Sequence, residues 1–449
     1  MRSDQQQAIN RLAGTSATAF LCAVLCVYPL YIDKFSNLGV TKFIACFTLF
    51  LLFLLWLVAC TAIGARAPRP RNANAGRDVT LWGVLAFAGT SLISTFTSLS
   101  PTASTWGLGG YYGGLMLVLF TAAGYWAVRS YLDLENLDFV FWVLGITTSI
   151  VAVLYVLNIF NIDLIGAYAD TAVVERAQFF STLGQKDFNG CFFSVALPIV
   201  FYQFLNAKDT RTAVWTGIPA AFGALALAVV DSEALALGIG AAVMVLVCHK
   251  NFTTRHLRRA ALISAAFFGW AAWMHYMRAS VYTQGGTALL AKLGAWQVAL
   301  PCMAASLLLW LVLFVLARKG IAAQAPLYLS GRVITIAVLA VGALAFVLAN
   351  AMPNLPLPES LHNLLVFNDD WGTYRGVAWR AAFGTWADGS LLRKIVGIGP
   401  GMMHTAVAAW AGDAMTARMA TFYAAHNEYL EQLLTTGILG LAAWLLLVA

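Results

Sequence analysis

Apolar runs of about twenty residues recur along nearly the whole chain, and no other feature limits its fold as sharply. A helix needs roughly 20 such residues to cross the hydrocarbon layer of a bilayer. Twelve stretches are candidates: 12–32, 43–63, 79–98, 115–131, 138–159, 189–205, 212–230, 234–249, 260–276, 293–316, 333–351 and 430–449. They lack the period-two alternation of strands, and an open sheet edge has no place in lipid. The expected fold is therefore an all-α polytopic membrane protein with about 12 transmembrane helices and a large extracytoplasmic loop before the last one. Composition agrees. Only 10% of residues are charged and 61% are hydrophobic, whereas soluble domains carry about 25% charged residues. A water-soluble enzyme and a disordered chain are both excluded.

The positive charges give an orientation. With the N-terminus in the cytoplasm, the inside segments hold 16 of the 27 Lys and Arg residues. They cluster as Arg66, Arg69, Arg71, Arg77; Lys250, Arg255, Arg258, Arg259; and Arg318, Lys319, Arg332. The outside segments hold 11, among them Lys34, Lys42, Arg278 and Lys292, with Arg375, Arg380, Arg393, Lys394 and Arg418 in one long loop where the charge rule does not apply strictly. The net charge of +7 thus serves topology, and no nucleic-acid partner is expected. The first span reads as a retained signal anchor, since no small-residue cleavage pattern follows it. Seven scattered cysteines read as small hydrophobes, not as a disulfide or zinc framework. In linear terms the chain divides into a two-helix segment with a basic cytoplasmic loop (1–78), a membrane core (79–351), a long extracytoplasmic loop (352–429) and a final helix (430–449). The stretch 212–249 also reads as one long helix broken at Asp231-Ser232-Glu233.

The segments 160–188 and 352–429 are where chemistry belongs, because loops this long without function are uncommon. The second should carry short helices; the spacing from Tyr374 to Trp386 is helical and puts Arg375 and Trp379 on one face. The strongest pattern is Ala425-His426-Asn427-Glu428-Tyr429-Leu430, at the entry to the last span. The unpaired N–H groups of a helix start suit a phosphate or pyrophosphate. Asn427 is a natural cap, and the same field would keep His426 neutral, available as a base. The plainer alternative is that Asn427 caps, His426 packs at the interface, and neither does chemistry. Gly397-Ile398-Gly399-Pro400-Gly401 allows a close backbone approach, but it is neither a P-loop nor a dinucleotide fingerprint; alone it reads as a turn. In 176–189, Arg176 is a candidate anion ligand, with Lys186 beside it; an interfacial anchor is the alternative. Asp231 and Glu233 are either functional ionisable groups at membrane depth or solvated residues of a turn. The histidines show no metal-ligand spacing, so no metal is expected. No ATP-binding motif is present, and no cofactor is expected.

The order of these motifs carries more than any one of them. Arg375 and Trp379, then Gly397-x-Gly399-Pro400-Gly401, then Ala425-His426-Asn427-Glu428-Tyr429-Leu430, then Thr436-Gly437-Ile438-Leu439-Gly440, resembles the O-antigen ligase and polymerase family. Residues 181–188 look like that family's Thr-x-Gly-Asn-x-Asn-Phe loop, with Gln185 and Asp187 in place of its two asparagines. Residues 100–115 look like its first outer loop, with Tyr111-Tyr112 where many members have a basic residue. Asp231-Ser232-Glu233 stands where many have Ser-Arg-Gly, and the chain stops in or at the end of the twelfth span where many continue, as a truncated or short member would. The resemblance implies a GT-C-like multi-pass protein of the cytoplasmic membrane that takes a glycan from undecaprenyl pyrophosphate and joins it to a lipid, a polysaccharide or a protein. It implies no nucleotide sugar and no metal. His426 would assist the acceptor hydroxyl, Arg375 and Arg176 would hold pyrophosphate with Asn427 and Lys186 near the glycan or its phosphates, and Trp379, Gly397, Gly399, Gly401 and Gly437 would be structural. Two other readings stay open. One is a transporter of a small anion, which should show ionisable residues at mid-membrane and broken helices. The other is a non-catalytic subunit of an envelope-assembly complex.

Overall fold

Every one of the twelve apolar stretches is helical in the computed structural model, which describes residues 3–66, 78–108, 110, 112–281, 283, 293–321, 324–352, 355–410 and 424–448. The basic connector with Arg69, Arg71 and Arg77, as well as Tyr111, Lys292, Asp413 and Arg418, lies outside the described residues. The helices are α1 (Ser3–Leu30), α2 (Leu38–Ala62), α3 (Val79–Phe96), α4 (Pro101–Trp106), α5 (Leu115–Tyr131), α6 (Leu137–Ile159), α7 (Lys186–Asn206), α8 (Thr210–Val229) and α9 (Glu233–Cys248). They continue as α10 (Thr254–Ser280), α11 (Trp296–Arg318), α12 (Tyr328–Ala351), α13 (Glu359–Leu365), α14 (Trp371–Ala387), α15 (Leu391–Val396), α16 (Met403–Trp410), α17 (Glu428–Thr435) and α18 (Gly437–Val448). A two-stranded antiparallel hairpin, β1 (Phe179–Phe180) with β2 (Gly184–Gln185), precedes α7.

Among the described residues eight helices, α1, α2, α3, α6, α7, α8, α11 and α12, are long and apolar enough to cross a membrane, and α9 and α18 are apolar but shorter. α5 has only 17 residues. α10 is long, but Arg255, Arg258, Arg259 and Arg278 interrupt its apolar run at both ends. The stretch 212–249 is two helices, because the chain leaves helical geometry at Val230–Ser232. The stretch 430–449 is also two, parted at Thr436 and at Gly437 with its φ of 71°.

The chain forms two compact units that cut across the linear order. Unit 1 takes residues 1–17, 47–132 and 340–449; unit 2 takes 18–46 and 133–339.

In unit 2 the core is built where α6, α7, α8 and α10 meet, around Val151, Tyr155, Phe193, Leu197, Leu227 and Met274. Phe180 of the hairpin stacks on Tyr155 with ring centroids 4.7 Å apart, an arrangement worth about 0.5–1.5 kcal/mol beyond area burial. Helix ends here are closed by cations. The buried Lys42 donates through Nζ to the carbonyls of Tyr28 (2.6 Å) and Tyr31 (2.9 Å) at the end of α1. Arg259 donates to Phe204 and Leu205 carbonyls at the end of α7. Residues that the charge pattern assigns to topology thus also satisfy carbonyls that a helix end leaves without partners.

In unit 1, α3 and α18 pack backbone to backbone: a Cβ on Gly83 would lie 2.4 Å from the Leu447 nitrogen. Small residues allow such approach where lipid removes the usual hydrophobic drive. A second cluster gathers Val377, Ala378, Ala381, Ile398, Met403, Ala425 and Leu434, drawn from α14, α16, α17 and the segments between them.

Candidate functional site

The glycine segment 397–401 organises unit 1. Helix α17 ends at Thr435, and the N–H groups that would continue its ladder belong to Ile438 and Leu439. The carbonyls of Leu434 and Thr435 instead accept from Ile398 N–H (3.2 Å) and Gly399 N–H (2.9 Å). The buried Ser94 of α3 donates its hydroxyl to the same Thr435 carbonyl at 2.6 Å and accepts from Gly399 N–H at 3.0 Å. Ser104 of α4, also buried, donates to the Pro400 carbonyl at 3.1 Å. No side chain fits between these backbones. A Cβ on Gly397 would meet the Thr435 carbonyl oxygen at 2.2 Å, and one on Gly437 the Ile395 oxygen at 2.3 Å. Gly399 and Gly401 also have positive φ, 106° and 71°. The segment is a wedge that joins the start of the last apolar run to α3 and α4, which is more than the turn its sequence reads as.

The entry to α17 is rigidly built. Asn427 caps it, its Oδ1 accepting from Tyr429 N–H (3.1 Å) and Leu430 N–H (3.3 Å). Glu431 reaches back over the cap and accepts from Ala425 N–H at 2.8 Å, and Ala425 is fully buried. His426 lies between these two anchors, exposed, with a φ of 49°. A non-glycine residue in that region is held there against a cost of order 1–3 kcal/mol. Burial pushes the Glu431 carboxyl up to about 7, and the Glu428 charge adds to this while the Ala425 N–H opposes it. With Asn427 already holding two of its N–H groups and Glu428 and Glu431 in its first turn, this helix start has little left for a phosphate.

Arg375 directly follows the first turn of α14, where Gly372 and Tyr374 have φ of 60° and 69°. Its side chain folds over Gly372. Trp379, one turn on, packs against Trp371 (5.1 Å) and Phe367 (5.9 Å), and its indole N–H is buried without a partner among the described residues. The helix that carries Arg375 and Trp379 contributes Val377 and Ala378 to the buried cluster that contains Ile398, Ala425 and Leu434. Three motifs separated in sequence are therefore brought together in unit 1.

Arg176 and Lys186 belong to unit 2. Arg176 opens the short turn Arg176–Gln178 and stacks over the Tyr168 ring at 5.4 Å. Tyr168 is buried and donates its hydroxyl to the Phe179 carbonyl. Burial, together with the nearby Asp163 carboxylate, pushes that phenol well above its usual range, so it remains a protonated donor. Lys186 pairs with Asp231 at 3.1 Å, and Asp187 accepts from the Ser232 hydroxyl at 3.0 Å. The Asp231-Ser232-Glu233 break is thereby tied to the start of α7.

Some organising residues were not singled out by sequence. Asn189 is fully buried; its Nδ2 donates to the carbonyls of Phe180, Gly184 and Gln185, each at 3.1 Å, and its Oδ1 accepts from the Ser181 hydroxyl at 2.6 Å. It fixes the hairpin from inside, and its signal was a lone asparagine just inside an apolar run. Ser94 and Ser104 gave no signal, being two among many small residues. A cavity of about 240 Å³ in unit 1 is lined by Trp386, Asp388, Arg393 and Trp410 and by none of the predicted site residues. Among the described residues no three His, Cys, Asp or Glu side chains gather as a metal site requires. No family model matches the chain, and neither a curated protein nor a solved structure matches it.

Proposed function

We propose that this protein transfers a glycan from undecaprenyl pyrophosphate to the hydroxyl of an acceptor lipid, polysaccharide or protein at the outer face of the cytoplasmic membrane, as O-antigen ligases and polymerases do. The observation that carries the reading is the convergence, on one buried cluster of unit 1, of the Arg375–Trp379 helix, the 397–401 wedge and the Ala425-His426-Asn427 entry to α17. The strained, exposed His426 between two fixed neighbours supports it further.

In this reaction the acceptor oxygen attacks the anomeric carbon, the bond from that carbon to the phosphate oxygen breaks, and undecaprenyl pyrophosphate departs. The hydroxyl proton goes to the imidazole of His426. A base contributes typically 10²–10⁴-fold when it lies within hydrogen-bond reach of the proton it takes. The leaving pyrophosphate gains negative charge, and Arg375 is the residue to stabilise it, since a guanidinium offers paired donors to phosphate oxygens. The crowded first turn of α17 leaves that work to side chains.

The test is genetic. The gene is deleted in its host and restored as wild type or as His426→Ala, at equal membrane levels. Loss of mature surface glycan with accumulation of the lipid-linked precursor in the variant supports the transferase. A variant indistinguishable from wild type removes His426 from the chemistry and brings the transporter and scaffold readings forward.

A further inference from the structure

Unit 2 holds a polar cavity of its own. It has a volume of about 220 Å³ and lies at one end of the unit, where the hairpin covers the ends of α6, α8 and α10. Tyr155, Gln178, Gln185, Lys186, Asp231 and Arg278 supply its polar wall. Arg176, the arginine that the sequence points to, does not line it.

The charges decide what it suits. Lys186 is compensated by Asp231 at 3.1 Å. Asp187, next to them, accepts from Ser232. Arg278 has no hydrogen bond or ion pair among the described residues, and its Nε is shut off from solvent with no partner. A buried guanidinium N–H without an acceptor is costly, and native structures rarely leave one so. The cavity is therefore lined by two cations, Lys186 and Arg278, against one carboxylate, Asp231, whose charge acts on both, and it has room for several ligand atoms beyond the charged group, flanked by two glutamine amides and an aromatic ring. A guanidinium edge offers two parallel N–H donors, which match the paired oxygens of an oxyanion. The wall carries one surplus charge, so a doubly charged anion would leave a negative charge in the cavity unmatched.

We propose that this cavity is a binding site for a singly charged oxyanion, the carboxylate of a sugar acid or a phosphodiester, with Arg278 as its principal ligand. The site stands on unit 2 alone and does not rest on the transfer reaction proposed for unit 1.

The full-length protein in detergent is titrated at constant ionic strength and pH 8 with glucuronate, dimethyl phosphate, glucose or inorganic phosphate, and its melting midpoint is followed. A saturable rise with glucuronate identifies the carboxylate source, and a rise with dimethyl phosphate the diester source. Either rise should need an about tenfold or greater increase in ligand once Arg278 is replaced by Gln. Asp231→Asn keeps the guanidinium and adds one net positive charge; it should admit inorganic phosphate, which the wild type refuses. If Arg278→Gln does not fold, this second variant carries the test. No saturable rise with either monoanion overturns the proposal. So does a wild type that prefers inorganic phosphate, an Arg278→Gln protein that binds as the wild type does, or an Asp231→Asn protein with unchanged preference.

Discussion

Replacing Gly397 by alanine should unfold the join between α17 and the glycine segment. Gly397 has φ 84° and ψ −170°, a region that only glycine occupies freely, so a side chain there costs about 1–3 kcal/mol in backbone strain. Its Cβ would stand 2.2 Å from the Thr435 carbonyl oxygen and 2.4 Å from the carbonyl carbon. Both neighbours are main chain and cannot swing aside. Relief requires parting the segments, which strains the bonds from Ile398 N–H to Leu434 and from Gly399 N–H to Thr435. Overpacking typically adds about 1–3 kcal/mol, and each weakened hydrogen bond about 0.5–1.5 kcal/mol. Together these reach about 3–9 kcal/mol, a large share of the 5–15 kcal/mol by which folded domains are stable. The purified variant in detergent should melt at least about 5 °C below wild type, with earlier proteolysis. Gly240→Ala is the control: a Cβ there meets nothing within 4 Å, and its melting should be unchanged or slightly raised. A Gly397→Ala protein that melts with the wild type would refute the wedge.

Three further predictions concern the same two regions. Glu431→Gln should abolish a pH dependence of stability: the carboxyl is raised from 4.5 to about 7 in the fold, so its contribution is complete below about pH 4.5 and is lost as pH climbs through 7. The gap is worth at most about 3 kcal/mol, and melting at pH 5.5 and 8 should differ less in the variant than in wild type. Asn427→Ala removes the cap of α17 and should cost about 1 kcal/mol, while Asn427→Asp keeps the acceptor and should melt near wild type. Asn189→Leu leaves the hairpin carbonyls of Phe180, Gly184 and Gln185 without their donor and should lower stability by about 3 kcal/mol or more, with new protease cleavage between 176 and 186 as the readout.

Much of the fold was legible because apolarity in lipid is a one-dimensional signal. A span must be long and apolar whatever it packs against, so each of the twelve stretches falls on helix, although among the described residues only eight helices are long and apolar enough to cross a membrane. What escaped was decided by partners distant in sequence. Residues 430–449 read as one span since their apolarity continues through Thr436-Gly437, yet the carbonyls at that point accept from Ile398 and Gly399, nearly forty residues upstream. The helix breaks because its ladder is completed from elsewhere. Asn427 as a cap was readable, since capping depends on a few neighbouring residues. Arg176 was an arginine in a polar loop and drew notice for that reason, but its guanidinium lies over Tyr168. Arg278, at the end of an apolar run, looked like a residue of the charge rule; only the packing of the hairpin over α6, α8 and α10 turns it into the cation of a cavity. The division into units was not legible either, because 1–17, 47–132 and 340–449 are joined by packing and not by order.

The central claim is that glycan transfer depends on His426 and Arg375. The most direct measurement uses proteoliposomes containing the purified protein, undecaprenyl-pyrophosphate-linked glycan from the host and the host's acceptor fraction, and follows the release of undecaprenyl pyrophosphate with time. The account predicts release by the wild type, a loss of 10²-fold or more for His426→Ala, and a comparable loss for Arg375→Ala with both variants melting near wild type. Equal release from the His426→Ala protein, or none from a folded wild type given the acceptor, would contradict it.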